Sequence, residues 1–183
     1  MYTDFLYKVI DLAPSKELLD FDFNLITLDD WTKNPGLRLK LPFIFGEVYT
    51  FSILYFAMEK WGDPLNNSPE PRNTDHPIFN LIMDEVRKLE QFYNATAKIV
   101  VLDGIPPGGE IPLHVDKGTV SDLGHRVHLP LTTASGVTFT IGDETLHFEA
   151  GKYFEFNNKI PHGVKNDSDI FRIHMVLDLV PNN

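Results

Sequence analysis

With seven histidines and no cysteines in 183 residues, this chain can hold a metal only through imidazole, carboxylate or backbone oxygen. His114-Val115-Asp116 is the first candidate. On an extended segment residues i and i+2 point the same way, so one ion can meet both side chains. His147-Phe148-Glu149 has the same shape, and a His-x-acid pair arises readily by chance. For His114 alone, the plain alternative is a surface histidine beside a solvated aspartate. His162 favours the first pair. It lies 48 residues after His114, in Lys159-Ile160-Pro161-His162-Gly163, which reads as a loop. That distance leaves room for strands that bring a third ligand round. From Glu149 it is only thirteen residues away, too few for such a return, although His174 could serve that pair instead. Two histidines and one carboxylate on one side of a metal form the facial set of non-haem Fe(II) oxygenases, which leaves positions open for oxygen and a cosubstrate.

Two arginine-bearing segments supply a second kind of chemistry. In Arg126-Val127-His128-Leu129-Pro130-Leu131, Arg126 and His128 share one face, and Val127, Leu129 and Leu131 share the other. From Phe171 to Leu179, Arg172, His174 and Asp178 lie opposite Phe171, Ile173, Met175, Leu177 and Leu179. Amphipathic strands with a wet polar face are common, but such faces usually carry Lys, Glu and Thr. Arg and His on both strands suit an interior cavity for an anion, because a guanidinium fork grips a carboxylate with two hydrogen bonds. His174 reads either as a partner that supports the site residues or as a packed core histidine, the second preferred, and His76, His125 and His147 read as surface residues.

These residues need a scaffold that returns many times to one place. After Asn94 the chain reads as short β-type runs at Lys98–Leu102, 126–132, 137–141, Thr145–Phe148, Tyr153–Phe156 and Ile170–Val180. Turn signals such as Pro106-Pro107-Gly108-Gly109, Gly142-Asp143 and Asn157-Asn158 separate them, a rhythm that fits a sandwich or barrel. Upstream, apolar residues at helical spacing predict a supporting helix over Pro77–Tyr93, with an Asp84–Lys88 pair on its surface. Ser15–Asp20 reads as a short helix, Phe21–Leu28 as a strand, and Leu37–Tyr55 as one or two strands. The Pro-rich stretch from Gly62 to His76 reads as a surface loop, more a connector than a lid. The organisation expected is a single domain, 1–183, with an N-terminal extension over 1–95 and a β core over 96–181.

Composition sets outer bounds. The net charge of −10 argues against broad contact with nucleic acid or an anionic membrane, which attract basic surfaces. No signal-like start is visible, and the apolar region Leu41–Met58 is interrupted by Pro42, Gly46 and Glu47, so no membrane span is expected and a cytoplasmic location is the default.

In order and spacing, about residues 96 to 180 resemble the aspartyl/asparaginyl β-hydroxylase family of 2-oxoglutarate oxygenases. The resemblance rests on Pro107-Gly108, His114, the run Arg126 to Leu131, Val137 to Gly142, Gly151, His162-Gly163-Val164-Lys165-Asn166, and Arg172 ten residues after His162. It implies a mainly β fold, a double-stranded β-helix of jelly-roll or cupin-like type with supporting helices from the N-terminal half. It also implies iron at His114 and His162, Arg172 on the far carboxylate of 2-oxoglutarate, and Arg126 with His128 on the carboxylate beside the keto group. Gly151 and Asn166 match family positions that set turn geometry. Animal members carry a non-ligating residue where this chain has Asp116, so the full triad here is closer to bacterial relatives. A hydroxyl residue usual on the strand before the first histidine falls near Asp103.

The reading that follows is an Fe(II)-, 2-oxoglutarate- and O2-dependent hydroxylase. Its substrate would be an amino acid, peptidyl Asp or Asn, or another small molecule or peptide. Trp31, Trp61 and the 62–76 loop are candidate pocket walls. Two alternatives use the same barrel: a cupin-type metal-dependent isomerase or lyase, which has no use for Arg126 or Arg172, and a non-catalytic barrel that binds a carboxylate.

Overall fold

A computed structural model describes residues 5–33, 48–55 and 65–182. The element order is β1 (Tyr7–Ile10), α1 (Lys16–Leu19), a 3-10 turn (Phe23–Leu25), α2 (Leu28–Lys33), β2 (Tyr49–Tyr55), β3 (Glu70–Pro71) and α3 (Ile78–Tyr93). The core follows as β4 (Ala95–Ile105), β5 (Glu110–His114), α4 (Thr119–Leu123), β6 (His125–Thr132), β7 (Val137–Ile141), β8 (Glu144–Leu146), β9 (Tyr153–Phe156), β10 (His162–Asn166) and β11 (Arg172–Pro181).

Among the described residues the strands form two antiparallel sheets, ordered β1-β9-β6-β11-β4-β2-β3 and β5-β10-β7-β8. Period-2 alternation decides what each face does. On β6 and β11, Val127, Leu129, Ile173, Met175, Leu177 and Leu179 join one core cluster with the α3 stripe of Ile78, Ile82, Val86 and Leu89. Between the sheets a second cluster joins Ile105, Phe154 and Phe156 of the large sheet to Phe139, Ile141 and Val164 of the small one. This is the expected jelly-roll barrel, with β1 and β2 from the N-terminal half added to the larger sheet.

Several local expectations change. Phe21–Leu28 is not a strand. Asp22 accepts from the Asn24 amide at 3.1 Å, and Thr27 and Asp30 cap each other, with Thr27 N donating to Asp30 Oδ2 at 2.8 Å and Asp30 N to Thr27 Oγ1 at 3.3 Å. Such reciprocal caps start a helix, here α2. On α3, Asp84 pairs with Arg87 and Lys88 with Glu85, both at i,i+3, in place of Asp84 with Lys88. β4 extends to both sides of the expected run, β8 ends before His147, and β11 begins two residues later than expected. Residues 37–47 of the strand region expected at 37–55, Trp61, and 62–64 of the connector lie outside the described residues.

β5 and β10 were not anticipated, and they matter most. β5 is an edge strand, the place where Pro112 is tolerated. β10 runs beside it so closely that a Cβ on Gly163 would lie 2.8 Å from the Ile111 carbonyl. Only glycine permits that approach.

Candidate metal centre

His114 ends β5 and His162 opens β10, and the two are register partners. The reading of His162 as a loop residue is therefore corrected: it is the first residue of a strand. Their rings stand 4.4 Å apart. His114 Nδ1 donates to the Pro112 carbonyl at 2.8 Å and His162 Nδ1 to the Ile160 carbonyl at 3.0 Å. A carbonyl can only accept, so each Nδ1 carries the proton and each Nε2 presents its lone pair to the site. Asp116 lies two residues beyond the end of β5, not on it. Its carboxylate is 3.4 Å from His114 Nε2 and 3.7 Å from His162 Nε2, and its own amide donates to the Asn158 carbonyl at 3.2 Å. One ligand atom from each of the three residues fits within 4.8 Å. Two imidazole nitrogens of fixed tautomer and one carboxylate are a donor set suited to a divalent first-row metal with open positions.

Charge shapes the site further. Burial pushes the Asp116 carboxyl up, but Arg126 and the two histidines outweigh it and hold it well below the usual carboxylate range. Burial lowers His162 to about 4, so it is neutral at physiological pH and able to ligate. Arg126 Nη1 contacts Asp116 Oδ2 at 2.9 Å. The rest of its fork lies on Asp178, with Nη2 to Oδ2 at 2.9 Å and Nε to Oδ1. Burial opposes the charge on Arg126, and these two carboxylates restore it and push its pKa up.

A narrow pocket between the sheets runs from His114 and His162 past Arg126 and His128 to Asp103 and Arg172. His128 is wedged against Phe156 and Phe139, with ring centroids at 5.0 and 5.7 Å. Arg172 is 1% exposed. The loop before it is held by buried Asn166, whose amide donates to the carbonyls of Ile105 (2.9 Å), Pro106 (3.1 Å) and Ile170 (2.9 Å). Asp103 is buried and accepts from Thr50 Oγ1 at 3.4 Å, so a hydroxyl does reach this region, from β2.

Of the six site residues singled out in the sequence, His114, His162, Arg126, His128 and Arg172 line one pocket, and Asp116 meets three of them, His114, His162 and Arg126. The rival pair does not: His147 and Glu149 are exposed, and Glu149 pairs with Lys152. His76 and His125 are not simple surface residues. His76 packs on Phe51 at 5.1 Å, and His125 packs on Tyr93 at 4.4 Å with Nδ1 2.7 Å from Glu155. Trp31 lines a separate cleft of about 780 Å³ with Phe21, Tyr49 and Phe171, a larger space that none of the three candidate ligands touches. Asp178 and Asn158 were not assigned roles. Asp178 shares a face with Arg172 in the sequence, but only strand register sets it opposite Arg126.

A family model described as Aspartyl/Asparaginyl beta-hydroxylase matches residues 59–181, well over half of the chain. No curated protein matches it. Among solved structures, a prolyl-4-hydroxylase from Pseudomonas putida is 16% identical, covers 97% of this chain and 94% of its own, and has a TM-score of 0.58. An oxidoreductase of the 2OG-Fe(II) oxygenase family from Burkholderia pseudomallei is 15% identical over 74% of this chain and 67% of its own, with a TM-score of 0.56. The viral collagen prolyl hydroxylase of Paramecium bursaria Chlorella virus-1, solved as a 2OG complex, is 11% identical over 98% of both chains, with a TM-score of 0.55. At these identities the likeness is one of fold. No described helix is long and apolar enough to cross a membrane.

Proposed function

The chain belongs to the aspartyl/asparaginyl beta-hydroxylase family, a family of hydroxylase enzymes, and on that premise we propose that it uses Fe(II), 2-oxoglutarate and O2 to hydroxylate an amino acid, a peptidyl Asp or Asn, or a similar small substrate. The observation that carries this reading is the convergence of two tautomer-fixed Nε2 atoms and a carboxylate at the mouth of a pocket whose inner wall holds a buried arginine. His114, Asp116 and His162 would hold the iron. Iron held there would supply the chemistry by which O2 oxidises both molecules, one oxygen atom entering the substrate and the other the succinate formed as 2-oxoglutarate loses CO2.

The protein's own part is orientation and exclusion of water. Arg172 lies deep in the pocket and is suited to clamp the far carboxylate of the cosubstrate. Arg126 and His128 stand nearer the metal and suit the carboxylate beside the keto group. Arg126 already spans Asp116 and Asp178, so it also orients the carboxylate ligand. Phe139, Phe156 and Val164 wall the pocket and keep it dry, which strengthens each of these contacts. Residues 1–183 act in this reading as one unit, since β1 and β2 are part of the larger sheet.

Anaerobic addition of Fe(II) and then 2-oxoglutarate tests the reading. A visible charge-transfer band is expected in the wild type and not in His114→Ala. Amino acids, short peptides and acylated lipids are then screened for stimulated succinate release. No band, and no succinate with any of them, would overturn it.

A further inference from the structure

β11 turns three polar side chains toward the smaller sheet, and the roles above use Arg172 and Asp178. His174, between them, remains. It is 1% exposed, and neither ring nitrogen has a hydrogen-bond partner among the described residues. Burial, followed by the nearby charges of Arg172, His128 and His147, holds it well below the usual histidine range, so the ring is neutral, with one N–H to donate and one lone pair. A buried polar ring with both atoms unsatisfied is costly to keep, because each lost its water and gained nothing. An apolar side chain would fill the same place without that cost. Positions that break such a local rule tend to be functional.

Register says where the ring stands. Along β11, Asp178 is opposite Arg126 and Val176 opposite His128 on β6, while His174 is opposite Asp103 on β4. Arg172 follows two residues away on the same face. The His174 ring is 5.8 Å from the His128 ring and nearly perpendicular to it, at 85°. His174 therefore lies on the sheet face that carries the pocket residues Asp103, Arg126, His128 and Arg172, between the metal-side pair Arg126 and His128 and the inner anchor Arg172.

We propose that His174 is a specificity-determining residue for the cosubstrate, donating its ring N–H to the far carboxylate that Arg172 clamps. The inference rests on the 2-oxoglutarate reading above. It assigns the unsatisfied donor a partner that arrives only with the ligand. It also makes the far end of the pocket a two-donor site, which rewards a keto acid ending in an anion over one ending in a methyl group.

Two keto acids separate this role from a structural one. The full chain loaded with Zn(II), which supports no turnover, is titrated by calorimetry with 2-oxoglutarate and with 2-oxopentanoate, which keeps the keto-acid end and replaces the far carboxylate by a methyl. His174→Leu should weaken 2-oxoglutarate binding by roughly 10- to 100-fold, the worth of a hydrogen bond to a charged group. Binding of 2-oxopentanoate should stay within about twofold. His174→Gln, which restores a donor, should recover most of the loss. The metal-free Leu variant should melt no lower than wild type, because the orphaned ring is gone. Equal losses for both keto acids, or none for either, overturn the proposal. If 2-oxoglutarate binds the wild type and needs Arg172 but not His174, the proposal alone falls. If the wild type binds neither keto acid, the 2-oxoglutarate reading falls with it.

Discussion

Every second residue of β11 turns toward α3, and the alternate ones turn toward the smaller sheet, so one strand serves two regions with opposite demands. On the helix side Ile173, Met175, Leu177 and Leu179 are buried among Val127, Leu129, Ile82 and Leu89. On the pocket side Arg172, His174 and Asp178 are just as buried, at 1% exposure each. The first face stabilises the fold by removing apolar surface from water. The second takes polar groups out of water, and is tolerable only where they find partners, as Arg126 does on Asp178 and Asp116. Stability and chemistry are thus separated by the strand period, not by distance along the chain.

His162→Ala should give the largest effect. It removes one of three ligand atoms from the pocket side, so divalent-metal affinity should fall by more than about 100-fold, beyond what losing a supporting partner costs. Stability of the metal-free protein should change by only about 1 kcal/mol. Calorimetric metal titration and denaturant unfolding in chelator measure the two quantities.

Leu177→Ala reverses the pattern. Leu177 is fully buried on the helix side, and its truncation should cost about 2–5 kcal/mol, with the melting point falling ~2–4 °C for each kcal/mol in a chain of this size. Metal affinity should stay within about twofold, since no partner is shared with the site. A Leu177 variant that loses metal binding as His162→Ala does would show that the two faces are one cooperative unit.

Asp178→Asn probes how the pocket face keeps its charges in place. Arg126 would lose the carboxylate that holds Nε and Nη2 and keep its contact with Asp116. The expected cost is roughly 10- to 100-fold in metal affinity, the usual range for a residue that orients a ligand. Unchanged affinity in a Zn(II) or Mn(II) titration would mean that Asp116 needs no support from Arg126.

This division also explains what could be read from the chain alone. Alternation over 126–131 and 171–179 exposed both faces of β6 and β11, and the 3.6-residue stripe exposed α3. The barrel and the residues around the pocket were legible for that reason. β5 and β10 carry no alternation, because Pro112 and Gly163 interrupt them, and what makes them strands is each other. The opposition of His114 to His162, and of Asp178 to Arg126, lives in register, which one sequence does not contain. The cap of α2 was legible in Thr27 and Asp30 but was outweighed by the apolar alternation from Phe21 to Leu28.

The smallest expected effect concerns a buried carboxylate on the helix side. Glu85 is fully buried on α3 and accepts hydrogen bonds from Tyr153 Oη, Lys88 Nζ (2.9 Å) and the Ser15 amide (3.0 Å). Burial pushes its pKa up, but the Tyr153, Lys88 and Ser15 bonds outweigh this and hold it below 4.5. A carboxyl lowered in the folded state adds stability above its unfolded pKa, and that stability is lost as pH falls through the folded value. Lys88 is half-exposed, so Lys88→Met should cost under about 1 kcal/mol at neutral pH. The cost should shrink only as pH falls below 4.5 and through the lowered folded value, where Glu85 takes up its proton. Urea unfolding of the metal-free protein at pH 7 and at steps down through the folded Glu85 titration reads this directly. A cost that persists unchanged once Glu85 is protonated would assign Lys88 to packing of its methylenes over α3, and would leave Tyr153 and Ser15 as the groups that hold the Glu85 charge.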